Sequence, residues 1–245
     1  MRIAVISDIH ANLPALEAVL EATDAAGVEE RWCLGDVLGY GVEPDACTRL
    51  VRDRCAICLV GNHDLAVLGA LDVASFSEAA AAAVEWTQAN VEEETLAFLR
   101  ELEPEGEREK TALFHASPRD PIWEYVLSGE QADAGMDASP RPVSLIGHSH
   151  VALFFNRPAG RREETRGAQA SDGALLDLRD GEWLLNPGSV GQPRDGDPRA
   201  AWLELDTEES TARYHRVAYD IERAAAPIAQ AGLPSRLAER LYTGQ

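Results

Sequence analysis

The stretch Ile3-Ala4-Val5-Ile6-Ser7-Asp8-Ile9-His10-Ala11-Asn12 decides how the rest of the chain is read. Its apolar run has the length of a buried strand and is too short for a typical helix. It ends abruptly in a polar cluster carrying Asp8 and His10. From Leu13 to Ala25 the spacing turns amphipathic and helical. Asn12 is placed to cap that helix, Pro14 falls in the first turn, where a missing N–H is tolerated, and Gly27 is the expected stop. A strand feeding a helix across a polar turn predicts an α/β architecture.

The same form recurs. Arg31–Leu34, Ala56–Val60, Thr111–Phe114 and Val143–Ile146 are short apolar runs predicted as strands, and a helix over Pro44–Asp53 precedes the second of these. Each run ends in polar residues able to bind a ligand: Gly35-Asp36, Gly61-Asn62-His63-Asp64, His115, and Gly147-His148-Ser149-His150. Ligands of open α/β sheets gather beyond the carboxyl ends of strands, so these clusters are predicted to meet in one site. Five of the six histidines lie in them, a distribution that packing alone does not explain. Imidazole and carboxylate donors without thiolates suit Mn, Fe, Zn or Ni and argue against a closed structural zinc site. Residues two apart, such as Asp8 with His10 and His148 with His150, point the same way in extended chain and can converge.

Outside these clusters, Ser77 to Leu102 reads as helical, with a break near Asn90, and is expected to cover the sheet or the pocket. Beyond residue 150 the pattern is β-rich: Val151–Asn156, Ala174–Leu178, Trp183–Leu185, Ala201–Leu205 and Thr211–Val217, with Arg157–Ser171 expected as a loop or hairpin tip. The tail from Asp220 to Tyr242 is expected as helices broken at Gly232-Leu233-Pro234. No linker or internal repeat divides the chain, so residues 1–245 are expected to form a single domain.

The net charge of −20 excludes duplex nucleic acid, long RNA and anionic membranes as expected partners. A small anionic substrate remains compatible if a bound metal offsets the field. No apolar run approaches the ~20 residues that span a bilayer, and the first residues lack the pattern of a secretory leader, so the expected location is cytoplasmic. Cys55 and Cys58 form a lone C-x-x-C, and with Cys33 and Cys47 they are expected as buried or half-buried free thiols. Oligomeric state has no signature here, and the near-exclusive use of Arg, with Lys110 the single lysine, has no mechanistic reading.

Taken in order, Asp8-x-His10, Gly35-Asp36, Gly61-Asn62-His63-Asp64, His115 and Gly147-His148-x-His150 resemble the calcineurin-like metallophosphoesterase superfamily over roughly residues 1–195. The Ser7-Asp8-Ile9-His10-Ala11-Asn12 opening and Asn186-Pro187-Gly188-Ser189 are similar to its small prokaryotic, phosphodiesterase-type branch. The resemblance implies a four-layer α/β/β/α sandwich of two mixed sheets flanked by helices. It also implies a phosphoesterase with two divalent metal ions (Mn, Fe, Zn or Ni), acting on a small phosphorylated substrate such as a nucleotide. Asp8, His10 and His150 would hold one metal, Asn62, His115 and His148 the other, with Asp36 bridging. A metal-bridging hydroxide would attack phosphorus, and His63 would give a proton to the leaving group. A phosphodiesterase is expected first. The alternatives are a phosphomonoesterase or dinucleoside-polyphosphate hydrolase, and a non-catalytic scaffold of the same fold.

Two departures stand out. Val37-Leu38-Gly39-Tyr40 follows Asp36 where the phosphoprotein phosphatase branch has an Asp that orients the catalytic His and an Arg that grips phosphate. This counts against that branch and leaves the partner of His63 open. Ala116 follows His115 where many relatives have Gly, a costly change only at a positive φ. Among the remaining residues, Asn12, Tyr40 and Arg119 are candidate substrate contacts, Arg119 through a guanidinium on a phosphate oxygen. Trp123 and Tyr125 are expected in the core, the alternative being an apolar or base-stacking wall. Asp64 is expected to be structural, His215 to lie on a strand surface, and Asn186-Pro187-Gly188 to be a turn.

Overall fold

The computed structural model describes residues 1–160 and 164–245. In chain order its elements are β1 (Arg2–Ile6), α1 (Leu13–Ala26), β2 (Glu30–Cys33), α2 (Pro44–Arg54), β3 (Ile57–Cys58), α3 (Asn62–Val67), a 3-10 turn at Val73–Ser75, α4 (Glu78–Asn90), α5 (Glu93–Leu99), β4 (Glu105–Arg108), β5 (Thr111–Phe114), α6 (Gly129–Ala138), β6 (Val143–Leu145), β7 (Ala152–Arg157), β8 (Arg166–Gln169), β9 (Leu175–Asp177), β10 (Glu182–Pro187), β11 (Ala200–Asp206), β12 (Thr211–Val217), α7 (Ile221–Gln230) and α8 (Ser235–Thr243).

The strands form two mixed six-stranded sheets, ordered β3-β2-β1-β11-β12-β9 and β4-β5-β6-β10-β7-β8. In the first, β1, β2 and β3 are parallel and β11, β12 and β9 return antiparallel. In the second, β5, β6 and β10 are parallel, with β4 and the β7–β8 hairpin antiparallel at its edges. The period-two alternation of β1 shows why the layers form. Ile3 and Val5 face the other sheet and pack with Trp32, Leu113, Leu145, Leu185 and Leu203. Ala4 and Ile6 face the helices and pack with Leu16 and Val19 of α1 and with Cys47 and Val51 of α2. The outer face of the second sheet is closed by Ala132 and Met136 of α6. The result is the α/β/β/α sandwich. The buried Tyr214 hydroxyl of β12 donates to the Leu153 carbonyl of β7 at 2.7 Å, a polar tie between the sheets.

Local signals explain the ends. Asn12 accepts from Ala15 N at 3.2 Å and Gly27 closes α1 in the left-handed region. α4 and α5 divide after Asn90, and α7 and α8 divide around Gly232-Leu233-Pro234. Ala79, Ala80 and Ala83 of α4 pack on Ala224 and Ile228 of α7 and on Leu237 and Leu241 of α8. Among the described residues no helix is long and apolar enough to cross a membrane.

Four elements depart from the sequence expectation. β4 is Glu-Gly-Glu-Arg, an edge strand without an apolar face. α6 contains two glycines and two aspartates, yet Ser128 and Gln131 form its capping box, a signal present in the sequence. α3 is a single short helix hidden inside the Asn62-His63-Asp64 cluster. Of Arg157–Ser171, expected as a loop or hairpin tip, Arg157 ends β7 and Arg166–Gln169 form β8 of the β7–β8 hairpin, while residues 161–163 lie outside the described part.

Candidate metal centre and active site

Loops after β1, β2, β3, β5 and β6 deliver the expected side chains to one place, where both sheets present their carboxyl ends. Donor atoms of Asp8, His10, Asp36 and His150 lie within 4.8 Å of one another, as do those of Asp36, His115 and His148. Asp36 belongs to both groups, and its Oδ2 is 3.6 Å from His10 Nε2 and 3.6 Å from His115 Nε2. Asn62 joins the second group, its Oδ1 3.1 Å from His115 Nε2. All seven residues are buried.

The histidines are held in one tautomer. His10 Nδ1 donates to Leu38 O at 2.8 Å, His115 Nδ1 to Leu34 O at 2.9 Å, and His150 Nδ1 to Gln192 O at 2.7 Å. A carbonyl only accepts, so in the neutral ring each Nε2 is a bare lone pair. Burial keeps His10, His148 and His150 neutral by holding their pKa values well below the usual range. Yet His10 Nε2 and His150 Nε2 stand 3.0 Å apart, two lone pairs face to face. Asp36 Oδ2 and His148 Nε2 are buried with no hydrogen-bond partner among the described residues. Burial raises the Asp8 carboxyl to about 7, and burial followed by the nearby Asp64 holds Asp36 well above the usual carboxylate range. Electron-rich atoms aimed at one another without hydrogens are repulsive unless a cation lies among them. The residues therefore fit a pair of metal ions.

The backbone is bent to make this arrangement. Asp8, His10, Ala11, Asp36, Tyr40, His148 and His150 all have positive φ, between 50° and 64°. Such conformations are uncommon for non-glycine residues and cluster at functional sites. Close approach also excludes side chains: a Cβ on Gly61 would sit 2.1 Å from Asp36 Oδ1, and one on Gly147 3.1 Å from Asp8 Oδ2. Ala116 is absent from the positive-φ residues, so the Gly-to-Ala departure carries no strain.

His63 is buried beside this centre, its ring 4.9 Å from that of His10 and 4.5 Å from that of Tyr40. Its Nδ1 has no partner among the described residues. Among the described residues no carboxylate pairs with its ring, in keeping with the missing Asp after Asp36. Asp64 instead accepts from Gly61 N, Val37 N and Leu38 N, tying the loops after β2 and β3 together as a structural group. Burial, with Arg194 and His115, lowers His63 to about 3.

Beside the metal groups opens a cavity of about 780 Å³ lined by Tyr40, Asn62, His63, Phe76, Trp123, Tyr125 and Arg194, and by Arg236 and Arg240 of α8. Trp123 and Tyr125 are thus wall residues and not core. Tyr125 is 43% exposed and stacks on His148 at 4.2 Å. Arg119 is not brought here: it is half exposed and pairs with Glu124 at 2.7 Å. Asn12 lies behind the site, bonded to Gly191 O and Tyr219 Oη. His215 pairs with Glu204 and stacks on Trp202 along its strand. The four cysteines are free, Cys33 and Cys47 buried, Cys55 and Cys58 half-buried.

Beyond Asn186-Pro187-Gly188-Ser189, Gln192 and Arg194 reach the site without having been expected there. Asn186 and Pro187, expected in a turn, are instead the last residues of β10, and Asn186 is a buried brace: it donates to Gly147 O at 2.6 Å and accepts from Gly188 N at 2.9 Å. Ser189 Oγ donates to Asp8 O at 2.7 Å, and Gln192 O holds His150. Arg194 follows at the cavity wall. The polar run Gln192-Pro193-Arg194 after a buried strand was the available signal, of the same kind as the five motifs that were read.

Residues 1–208 match the calcineurin-like phosphoesterase superfamily domain. An uncharacterized protein of Methanocaldococcus jannaschii is 38% identical over 99% of this chain and 98% of its own length. The crystal structure of a metallophosphoesterase from Sphaerobacter thermophilus aligns at a TM-score of 0.90 and 40% identity, covering 100% of this chain and 99% of that one. A hypothetical protein from Pyrococcus horikoshii shares the fold at a TM-score of 0.80 and 18% identity, covering 100% and 98% of the two chains. With two donor groups meeting at Asp36 and near full-length similarity to these relatives, the chain belongs to the calcineurin-like phosphoesterase superfamily.

Proposed function

We propose that this protein is a dinuclear-metal-dependent phosphoesterase with a preference for phosphodiesters of small molecules, nucleotides among them. The observation that carries the reading is the pair of buried donor groups sharing Asp36, with lone pairs that only cations reconcile. Asp8, His10 and His150 would hold one ion and Asn62, His115 and His148 the other, with Asp36 common to both groups. The mixed nitrogen and oxygen set suits Mn²⁺, Fe²⁺, Zn²⁺ or Ni²⁺. Two such ions, when bound, neutralise phosphate oxygens and lower the pKa of water.

The chain's own residues do the remainder. His63 lies at the mouth between the metal groups and the cavity, placed to hand a proton to the leaving oxygen. Its ring is neutral in the free site, and a phosphate seated beside it opposes the charge of Arg194 and raises its proton affinity. Tyr40 packs against both His10 and His63 and receives a hydrogen bond from Arg194 at 3.2 Å, which steadies the wall. The cavity far exceeds what one phosphate needs, which favours substituted esters over simple monoesters. The acidic chain repels duplex nucleic acid, and the free thiols favour a reducing compartment such as the cytoplasm.

The test is hydrolysis of bis(p-nitrophenyl) phosphate and p-nitrophenyl phosphate before and after chelation, with Mn²⁺, Fe²⁺, Zn²⁺ and Ni²⁺ added back. The reading expects activity that the chelator removes and a metal restores, greater on the diester. A greater rate on the monoester moves the assignment to a phosphomonoesterase. No activity with any metal points to a non-catalytic scaffold.

A further inference from the structure

Most arginines of this acidic chain are ion-paired, but Arg194, Arg236 and Arg240 form no ion pair among the described residues, although all three line one cavity. Arg194 and Arg240 donate to the same neutral oxygen, Gln192 Oε1, at 2.9 and 3.1 Å. Arg194 also donates to Tyr40 Oη at 3.2 Å and Arg240 Nε to Gln245 O at 2.8 Å, but among the described residues no carboxylate side chain compensates either guanidinium. Arg194 Nε is buried and unpartnered. Glu239 also lines the cavity and pairs with none of them. Facing these cations are the rings of Phe76, Trp123 and Tyr125. Phe76 lies 5.1 Å from both His63 and Trp123, so aromatic surface runs outward from the reacting centre.

We propose that this cavity is a subsite for a nucleoside polyphosphate: the non-scissile phosphate rests on Arg194, Arg236 and Arg240, and the base lies against Phe76, Trp123 and Tyr125. This deepens the proposed phosphoesterase function and rests on it for the reaction. The two metal groups already meet the charge of the scissile phosphate, so three further cations call for a second anion. A sugar phosphate lacks a flat ring with a polarizable face, whereas a nucleoside polyphosphate joins that ring and a second anion in one small molecule. Hydrolysis forms one bond from a water oxygen to phosphorus and breaks one from phosphorus to the leaving oxygen. The attacking water loses a proton and the leaving oxygen gains one, so no other reactant is needed.

Arg236 is exposed, so its substitution spares the core. Calorimetric binding of α,β-methylene-ADP and of AMP to the Mn²⁺-loaded full chain, with phosphate release followed to exclude turnover of AMP, tests the subsite. The analogue is expected to bind at least about tenfold more tightly than AMP, and Arg236→Glu to erase at least about tenfold of that affinity. Trp123→Ala is expected to weaken both ligands alike. Equal affinity for the two ligands, or analogue binding unmoved by Arg236→Glu, overturns the subsite. Hydrolysis of bis(p-nitrophenyl) phosphate is measured alongside. Arg236-dependent binding without that hydrolysis sinks the phosphoesterase reading and keeps the subsite. Hydrolysis without Arg236-dependent binding does the reverse.

Discussion

Two buried charged centres in this molecule are handled in opposite ways. Arg157, 2% exposed, is clasped by Asp133 at 2.9 Å, Asp137 at 3.0 Å and Glu182 at 2.8 Å. Its charge is met by the chain itself, which is how a buried ion is ordinarily tolerated. Around Asp36 the same chain gathers carboxylates and neutral imidazoles and supplies no cation within the cluster. It also bends seven residues there into positive φ. Backbone strain of this kind clusters at active and ligand sites, and buried charge left unpaired calls for a counter-ion. The first centre is therefore a fastening and the second a receptacle.

The largest effect that could break this contrast is at the shared carboxylate. Asp36→Asn is expected to empty both metal positions and to lower kcat/KM on an aryl diester by roughly 10⁴-fold, since bound metals supply several kcal/mol of charge stabilisation. Elemental analysis of the purified variant checks the first part, and retention of two tightly held ions refutes the bridging role. His63→Ala sharpens the comparison by separating chemistry from metal binding. It is expected to cut turnover by about 10³-fold with metal content unchanged, and undiminished turnover removes His63 from proton transfer.

Arg157→Ala tests the other centre. It is expected to cost about 2 kcal/mol in urea unfolding while the metal content holds; loss of metal would show that the two centres are coupled. The smallest effect belongs to Arg119→Ala, which removes an exposed pair worth under about 1 kcal/mol. It is expected to leave kcat/KM within about twofold, and a large loss of activity would return Arg119 to the site.

Legibility in the sequence followed the same division. The strands that could be read were apolar runs ending in ligand residues, because burial on both faces writes a contiguous signal. β4 and β8 were missed because edge strands with polar faces carry none. The metal residues could be read because five turns spell them locally. The cavity wall could not: Arg236 and Arg240 reach it only through the packing of α8 on α4 and α7, and Arg119 had the right chemistry but the wrong direction. Trp123 and Tyr125 looked like core because an aromatic residue looks alike in sequence whether it meets leucine or ligand.

The central claim is that the Asp36 centre is completed by two divalent cations. The direct measurement is metal stoichiometry of the purified protein, paired with thermal unfolding before and after chelation. The account predicts close to two ions per chain and a Tm that falls on chelation and recovers with Mn²⁺, because a ligand bound only by the native state stabilises it. A chain without bound metal, whose Tm neither chelator nor added Mn²⁺ moves, would contradict it.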